Sequence, residues 1–478
     1  LVKEKNSGEK KSRFLFLQTV LGLASLAYGY FLALGVTNPI SAVFTFFVAV
    51  LFVILGTYLL FNAGTTVFLQ FLKKKKSYYY QPNNMISVSN LIFRMKKNAV
   101  GLATIAILST MVLVTLSGGA NIYAGGDYMQ KAMFPHDFSI QGKGVTGEQM
   151  DQALTEFVNE QQLPVTKKVI YPYYTMGVTS RTGNQLDINA TAQKFVTPKT
   201  YILAVSEADY QSMTGKTLNL GDDEVALYQQ GVKLDSKQDL QLAGQTFKIK
   251  EELKEDFIFG NLPDQMNMIV PEKIYMVLKN PSQVFSALMD KYAVNLDYYG
   301  GLNTRLSTEE QRNLRDAYQE KLHLFNLTLP ENQAVYGSMT AFDKQEIKGM
   351  LGGMFFIGIF LSIVFMLGTI LIIYYKQISE GYEDRDRFVI LQKVGLDEKQ
   401  IRQTIRKQIL IVFFLPLAFA FIHLTFAYHM LSLILSALGV LNSVLMLAVT
   451  LGVCAIFFIS YVIVFMITSR SYRTIVSM

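Results

Sequence analysis

Residues 408–469 read QILIVFFLPLAFAFIHLTFAYHMLSLILSALGVLNSVLMLAVTLGVCAIFFISYVIVFMITS, without a single Asp, Glu, Lys or Arg. A bilayer-spanning helix needs about 20 apolar residues, so this stretch predicts two spans. Three more uncharged stretches, 14–72, 98–126 and 349–375, predict two spans, one span and one span. We therefore predict a polytopic α-helical membrane protein with six spans, over 14–34, 42–61, 99–119, 350–375, 409–430 and 441–467.

The composition supports a membrane protein. Of 478 residues, 51% are hydrophobic and 17% are charged, against about 25% charged in an average soluble domain. This deficit excludes an ordinary soluble enzyme. The net charge is +7, but residues 120–344 are acidic and everything else is strongly basic. A basic membrane part with an acidic soluble part is the positive-inside pattern of membrane proteins. This pattern accounts for the high pI, which therefore does not predict a nucleic-acid partner.

Basic residues also predict the orientation. Arg13 precedes the first span, Lys73 to Lys76 follow the second, and 385–407 follow the fourth. Short loops rich in Lys and Arg stay in the cytoplasm. Both chain ends are then cytoplasmic, and 120–344 is an extracellular domain of a multi-pass protein of the cytoplasmic membrane.

The predicted organisation has nine segments. A cytoplasmic segment (1–13), a two-span hairpin (14–72), a basic cytoplasmic linker with an amphipathic lead-in (73–97) and the third span (98–119) come first. The extracellular domain (120–344), the fourth span (345–375), a cytoplasmic loop (376–408), the fifth and sixth spans (409–467) and a cytoplasmic tail (468–478) follow. The chain opens with Leu1 rather than Met, so we expect that preceding sequence has been lost. A signal peptide is the less favoured alternative, because the first apolar stretch is too long.

The extracellular domain is predicted to be α+β. Apolar alternation predicts strands over 169–178, 201–205, 224–228, 246–250 and 266–270, and helical spacing predicts helices from 145, over 281–292 and over 307–324. Residues 214–217 resemble the end of a phosphate-binding loop but lack its first glycine, so we interpret them as a turn. No grouped nucleophile, base or metal-ligand motif occurs, so no catalytic residue, cofactor site or metal site is predicted. The tyrosines of the extracellular domain, such as Tyr171 and Tyr299, could form a ligand surface or pack in the core, and core packing is favoured.

The segment 374–408, YYKQISEGYEDRDRFVILQKVGLDEKQIRQTIRKQ, is the most informative. Glu383 and Arg387 form an i,i+4 pair, and Phe388, Leu391 and Val394 share a helix face. Gly395 fits a helix C′ position. We predict a short amphipathic helix at the membrane surface. Acidic residues on its polar face suit docking to a protein partner better than docking to anionic lipid, which remains the alternative.

This loop carries a family resemblance. The pattern Glu383-x-Arg385-x-Arg387-x-x-Ile390-Leu391-x-x-Val394-Gly395, with one span before it and two after it, resembles the coupling-helix region of FtsX-like ABC transporter permeases. The two extra N-terminal spans and the large external domain are most similar to the bacitracin-resistance (BceB-type) permeases of Gram-positive bacteria. Those permeases have ten spans, and the first four-span module is absent from this sequence.

The resemblance implies partners and coupling residues. ATP and Mg would be bound by a separate cytoplasmic ATPase dimer, and this subunit would not be an enzyme. The ligand would be a peptide antibiotic or its lipid-linked cell-wall target, and a membrane sensor histidine kinase is a further implied partner. The alternatives are another FtsX-like permease (lipoprotein or macrolide export, or wall-hydrolase activation) and a non-transporting receptor. The expected ATPase-coupling residues are Glu380, Glu383, Arg385, Arg387, Phe388, Leu391, Val394 and Gly395.

The fourth span is expected to transmit movement to the external domain. Thr340-x-x-Asp343 is typical of a helix N-cap, and that helix would run from the domain through the membrane. Gly349 and Gly353 have the spacing of close helix packing. In the fifth span His423 is a tentative functional polar residue, either in a proton relay or, as we favour, in a buried hydrogen bond. His429 lies six residues further on, and this spacing predicts a different helix face. Pro416 is expected to kink this helix, either as a hinge or as a tolerated proline.

Overall fold

The structure of the chain, a computed structural model, describes residues 12–36, 39–75, 77, 82–188, 198, 200–263, 272–289, 292, 294–393, 398–438, 440 and 442–477. Six helical stretches in this part are long and apolar enough to cross a membrane, as predicted. They are Phe14–Gly35, Ser41–Lys74, Lys97–Met133, Thr340–Tyr382, Ile409–Ser436 and Ser443–Arg470. An α/β region lies between the third and fourth of them, and this polytopic class was also predicted.

The chain divides into two compact units. The membrane unit takes its residues from Leu1–Ala124, Gly353–Leu435 and Ser443–Met478, and the intervening domain takes Gly125–Gly352 and Ser436–Asn442. The helices of the membrane spans are α1 (Ser12–Gly35), α2 (Pro39–Leu59), a π-helical turn (Leu60–Gly64), α3 (Thr65–Lys74), α4 (Pro82–Met133), α10 (Thr340–Lys393), α11 (Glu398–Ala437) and α12 (Ser443–Ser477).

Two of these helices are longer than predicted. The amphipathic lead-in over 84–97 is part of α4, because neither Pro nor Gly interrupts residues 83–100. The segment after the fourth span likewise continues α10 to Lys393 instead of forming a separate short helix. The first segment thus precedes a membrane span within one helix, and the second follows one.

The first two spans form a tightly packed hairpin. A Cβ atom added to Gly56 would lie 2.9 Å from the carbonyl oxygen of Gly22, and one added to Gly29 would lie 3.1 Å from that of Ala49. Only glycine allows such close backbone approach. The second span also contains the π-helical turn, where Phe61 is fully buried.

Helix α4 is central to the membrane unit. One cluster joins it to α10, α11 and α12 through residues such as Leu113, Phe413 and Phe457. A second cluster joins its N-terminal half to α3 and α11, with Met95, Leu69 and Val412 as members. The third span therefore has neighbours on several sides, which fits its being half buried.

The intervening domain is built on one mixed sheet of 11 strands in the order β11-β1-β10-β2-β5-β9-β6-β8-β7-β4-β3. The strands are β1 (Phe138–Lys143), β2 (Val165–Val178), β3 (Ser180–Thr182), β4 (Gln185–Asp187), β5 (Thr200–Ser206), β6 (Glu224–Gln230), β7 (Leu240–Leu242), β8 (Gln245–Leu253), β9 (Glu272–Leu278), β10 (Val294–Thr304) and β11 (Ala334–Met339). Most pairs are antiparallel, and β5–β9, β6–β8 and β4–β7 are parallel.

The described part of the domain also contains the helices α5 (Gly147–Gln161), α6 (Glu207–Thr214), α7 (Pro281–Met289), α8 (Thr308–Asn313) and α9 (Arg315–Thr328). Helix α5 begins with a capping box in which Thr146 and Gln149 bond reciprocally. Its apolar face packs with α9 against β1, around Phe157 and Tyr318. This packing forms a hydrophobic core cluster of the domain.

Edge strand β11 is capped by side chains. The Asn326 amide donates to the Val335 carbonyl at 2.9 Å, and its oxygen accepts from the Val335 N–H at 2.8 Å. The Asp343 carboxylate accepts from the N–H of Met339 at 3.0 Å. These bonds occupy backbone groups of β11 with which a further strand would pair.

Four of the five predicted strands are found, and 266–270 lies outside the described residues. The helix predicted over 307–324 is divided at Leu314, because Ser307 caps a short first helix. Tyr171 and Tyr299 are buried in the core, as favoured. The turn at 214–217 has Gly215 at φ +74°, and the Glu207 carboxylate already accepts from the N–H groups of 218–220. It is therefore not a phosphate loop.

Candidate functional site

The charged loop after the fourth span is only partly described. Glu383, Arg385, Arg387, Phe388 and Leu391 lie on the helical backbone of α10, with side chains outside the described part. Val394 and Gly395 lie outside the described residues. Helix α10 is described to Lys393 and α11 from Glu398, and the residues between them, which include the predicted helix end at Gly395, lie outside the described residues.

Glu380 differs from the other expected coupling residues. Its side chain is only 9% exposed and accepts a hydrogen bond from the amide of Asn98 in α4. The structure therefore places Glu380 in a helix–helix contact, and its expected ATPase-coupling role stays a prediction.

Further contacts between α4 and α10 follow a regular register within the membrane unit. The hydroxyls of Thr115 and Ser362 are 2.8 Å apart. A Cβ atom on Gly358 would lie 3.1 Å from the Thr115 carbonyl oxygen and 3.4 Å from the Cα of Gly119. Small residues bring the two backbones together here. Asn98–Glu380, Thr115–Ser362 and Gly119–Gly358 define what we call the α4–α10 seam.

The predicted close packing at Gly349 and Gly353 is not seen in the part of the chain that the structure describes. A Cβ atom on either glycine would meet no atom within 4 Å. The glycines that do pack, Gly119 and Gly358, are on two different helices. The sequence signal is instead a seven-residue spacing of Gly101, Leu108 and Thr115 on α4, each facing α10. Such spacing is typical of two helices that pack along one stripe.

Thr340 begins α10, but it does not cap that helix as predicted. Its hydroxyl donates to the carbonyl of His136 at 2.5 Å and lies 3.5 Å from that of Phe134, and its N–H donates to the carbonyl of Asp137 at 2.9 Å. Asp343 accepts from the N–H of Met339 and not from that of Thr340, so the reciprocal bond of the predicted motif is not formed either. Within the domain, the start of α10 is thus tied to the residues that follow α4. We call these contacts the α4–α10 junction.

His136, at this junction, was not singled out from sequence. Its ring is buried, and Nδ1 lies 3.0 Å from the Tyr299 hydroxyl. Burial, helped by the positive charge of Lys167, lowers the pKa of His136 to about 4. The imidazole is therefore neutral at physiological pH. A Cβ atom on Gly301 would lie 2.5 Å from this ring, so the strand opposite must carry glycine.

His423 on α11 is held by both ring nitrogens. The Thr57 hydroxyl donates to the Val53 carbonyl at 2.6 Å, so it accepts from His423 Nε2 at 3.0 Å. Nδ1 then accepts from the Tyr30 hydroxyl at 2.6 Å. Because this chain of bonds ends on a backbone carbonyl, the geometry favours a buried hydrogen bond over a proton relay.

His429, which the spacing predicts to lie on a different helix face from His423, contacts the same hairpin. Its Nε2 lies 3.0 Å from the carbonyl of Val36 at the end of α1. His423 and His429 therefore both contact the hairpin of α1 and α2, because that hairpin covers more than one face of α11. Stacking of Tyr30 on Phe426, at 3.9 Å between ring centroids, adds to the same contact.

Comparison with known proteins supports a transporter subunit. No family model matches the chain. It is 23% identical to the ABC transporter permease YvcS of Bacillus subtilis over 479 residues, which cover 95% of this chain and 68% of that permease. It is 22% and 24% identical to the bacitracin export permeases BceB of Halalkalibacterium halodurans and Bacillus subtilis, over 88% of this chain and 63% of each relative.

The chain thus spans about two thirds of the length of these relatives. The resemblance drawn from the loop and the layout is confirmed: along nearly its whole length the chain is similar to ABC transporter permeases, the bacitracin export permeases among them.

Proposed function

We propose that the chain is a permease subunit of an FtsX-like ABC transporter that confers resistance to, and senses, cell-wall-targeting antimicrobial peptides of the bacitracin or lantibiotic type. The observation that carries this proposal is the similarity to bacitracin export permeases over 88% of the chain. Six apolar helices with a large domain between the third and fourth support it. The ligand is the peptide or its lipid-linked target.

The orientation belongs to the same proposal. The intervening domain is extracellular and both ends of the chain are cytoplasmic, in the cytoplasmic membrane of a Gram-positive bacterium. The distribution of Lys and Arg supports this orientation. The loop between α10 and α11 is then cytoplasmic, where a soluble ATPase dimer that binds ATP and Mg can dock.

Movement is passed on through α10. Closure of the ATPase pair displaces the loop, and α10, which is helical from Thr340 to Lys393, carries that displacement toward the external domain. The junction at Thr340 supports this role, because it ties the start of α10 to the domain's own residues. A membrane histidine kinase that reads the state of the permease would account for sensing.

Growth inhibition tests the function. A strain that lacks the full-length gene is compared with its parent against bacitracin-like peptides, lantibiotics and unrelated antibiotics. We expect several-fold sensitisation to the wall-targeting peptides alone, restored by the gene in trans. An unchanged panel contradicts the proposal and favours lipoprotein or macrolide export, wall-hydrolase activation or a non-transporting receptor.

Co-purification tests the docking loop. Glu383→Ala with Arg387→Ala removes an opposite-charge pair from the loop, and we expect the ATPase to be lost from the purified complex. The matched control is Asp222→Ala with Lys279→Ala, an opposite-charge pair 2.9 Å apart on the domain surface. Retention of the ATPase by the loop variant would reject the loop as the docking site.

A further inference from the structure

The fifth span contains a proline in mid-helix. Pro416 lies inside α11, and because proline has no N–H, the carbonyl of Val412 has no partner one turn away. The ring also pushes neighbouring carbonyls aside. Helices bend at such positions. In a membrane, the backbone groups that are freed need donors from neighbouring helices.

Tyr461 of α12 supplies a donor at this level. Its hydroxyl, which is buried, donates to the carbonyl of Phe413 at 2.9 Å. Phe413 precedes Pro416 by three residues, so its carbonyl is among those the proline disturbs. The Tyr461 ring also packs edge-on against Phe413, with centroids 5.4 Å apart. This contact ties α11 to α12 at the level of the proline.

The part of α11 beyond the proline is anchored. His423 bonds to Tyr30 and Thr57, and His429 bonds to the Val36 carbonyl. Phe419 packs on Phe61 of the π-helical turn. These contacts lie on the same side of Pro416 along the helix, and they join it to the hairpin of α1 and α2.

Helix α10, the other arm of the loop, has no proline between Thr340 and Lys393. Asn98–Glu380, Thr115–Ser362 and Gly119–Gly358 hold it along α4. The two arms of the loop therefore differ in stiffness. One is an uninterrupted helix braced by α4, and the other is interrupted at a proline.

We propose that Pro416 is a hinge in the fifth span, that Tyr461 is the positioning residue that latches it, and that the histidine-anchored outer part of α11 stays fixed while the inner part moves with the loop. This inference rests on the proposed function, in which the loop is displaced. Helix α10 transmits that displacement, and bending of α11 at Pro416 takes it up. The hinge itself is a property of the chain alone.

Spin-label distances in the full chain test the hinge. Cys454 is the only cysteine, so Cys454→Ala gives a cysteine-free background. Labels at Ile411 and Ile422, both exposed, flank Pro416 on one helix face. Eleven residues separate them, about 16 Å along a helix. Labels at Phe360 and Leu371, which are exposed and equally spaced on α10, are the matched control.

In nanodiscs, we expect a wider distance distribution at 411 and 422 than at 360 and 371. Pro416→Ala should narrow the first distribution to that of the control, and Tyr461→Phe, which removes only the hydroxyl, should widen it. Equal widths on the two helices, or no response to Pro416→Ala, would overturn the hinge. Because no ATPase or antibiotic is present, this result is independent of the proposed function.

A double-mutant cycle tests the latch. Tyr461→Phe should lower the thermal unfolding midpoint of the detergent-solubilised chain by several degrees, and Pro416→Ala should abolish that effect, because the straightened helix then satisfies its own carbonyls. Tyr58→Phe is the control, since its hydroxyl bonds to Thr104 at 3.0 Å, away from the proline. Additive effects of Tyr461→Phe and Pro416→Ala would reject the latch.

Discussion

Helices α10 and α11 leave the same loop but are held by different means. Helix α10 contacts α4 through small residues and short polar side chains, and much of its remaining surface is exposed apolar residues such as Phe356 and Tyr375. Helix α11 is held by aromatic rings and histidines and is interrupted at Pro416. Close backbone packing along α10 fixes a register, whereas side-chain contacts on α11 can rearrange with less strain.

The difference shows which features make a membrane helix suitable for transmission. Mean hydropathy is similar in the two spans, 2.8 and 2.5, so hydropathy does not separate a stiff arm from a bending one. The separation comes from glycine contacts, buried hydrogen bonds and one proline. The following changes act on these features, and we give them from the largest expected effect to the smallest.

Gly358→Leu should abolish the close packing of α10 on α4. Because a Cβ atom there already approaches the Thr115 carbonyl to 3.1 Å, a leucine must force the helices apart, at about 3 kcal/mol. Thermal unfolding of the detergent-solubilised chain measures the loss. Gly353→Leu, on the same helix with no atom within 4 Å, is the control and should not destabilise the protein. Equal effects of the two would contradict the seam.

Acidic pH should destabilise the α4–α10 junction, where α10 begins. Burial lowers the pKa of His136 to about 4, against about 6.5 in the unfolded chain. As pH falls from 6.5 toward 4, the unfolded state binds a proton that the native state does not, so the free energy of unfolding falls. The loss is about 2 kcal/mol at pH 5.

Hydrogen exchange of peptides from β1 and β10, followed against pH in the full chain, measures this dependence. His136→Gln keeps a hydrogen-bonding side chain without a group that titrates in this range, so its curve should be flatter. If the wild type and the variant have the same slope, His136 does not carry the pH dependence.

Thr340→Val should weaken the α4–α10 junction. Valine has nearly the same shape as threonine but no hydroxyl. The change removes the donor to the His136 carbonyl, and leaving that acceptor unsatisfied costs about 1.5 kcal/mol. We expect faster hydrogen exchange at the start of α10. Thr425→Val on α11, whose hydroxyl bonds only within its own helix to Phe421, should have no comparable effect.

His423→Leu should have the smallest effect. Hydrogen bonds between membrane helices contribute about 0.6 kcal/mol each on average, so losing those to Tyr30 and Thr57 should cost about 1 kcal/mol. The midpoint of thermal unfolding is the measurement. A loss as large as that of Gly358→Leu would mean that α11 is held as firmly as α10, against the comparison drawn above.

Much of the architecture could be predicted from sequence, because uncharged stretches and strand alternation are local signals. The six spans and most of the strands are examples. Contacts between distant residues were not predictable in the same way. Asn98 reads as an ordinary polar residue near a span end, and only the fold brings it to Glu380.

The predicted site shows the same limit. The loop motif identified a segment but could not separate Glu380, which faces α4, from residues further along the helix. The spacing of His423 and His429 predicted different faces of α11. It could not predict that both residues contact the hairpin of α1 and α2. Gly349 and Gly353 have the spacing of close helix packing, but neither has a neighbour among the described residues.

The capped edge of β11 limits how the domain can meet an extended peptide. Asn326 and Asp343 already occupy the outward-facing backbone groups of Val335 and Met339. A peptide that added itself as a twelfth strand there would have to displace both side chains before it could pair with Val335 and with the N–H of Met339. The same two residues guard against edge-to-edge aggregation between neighbouring copies. The side chains of Asn326 and Asp343 therefore disfavour recognition of a peptide backbone at this edge.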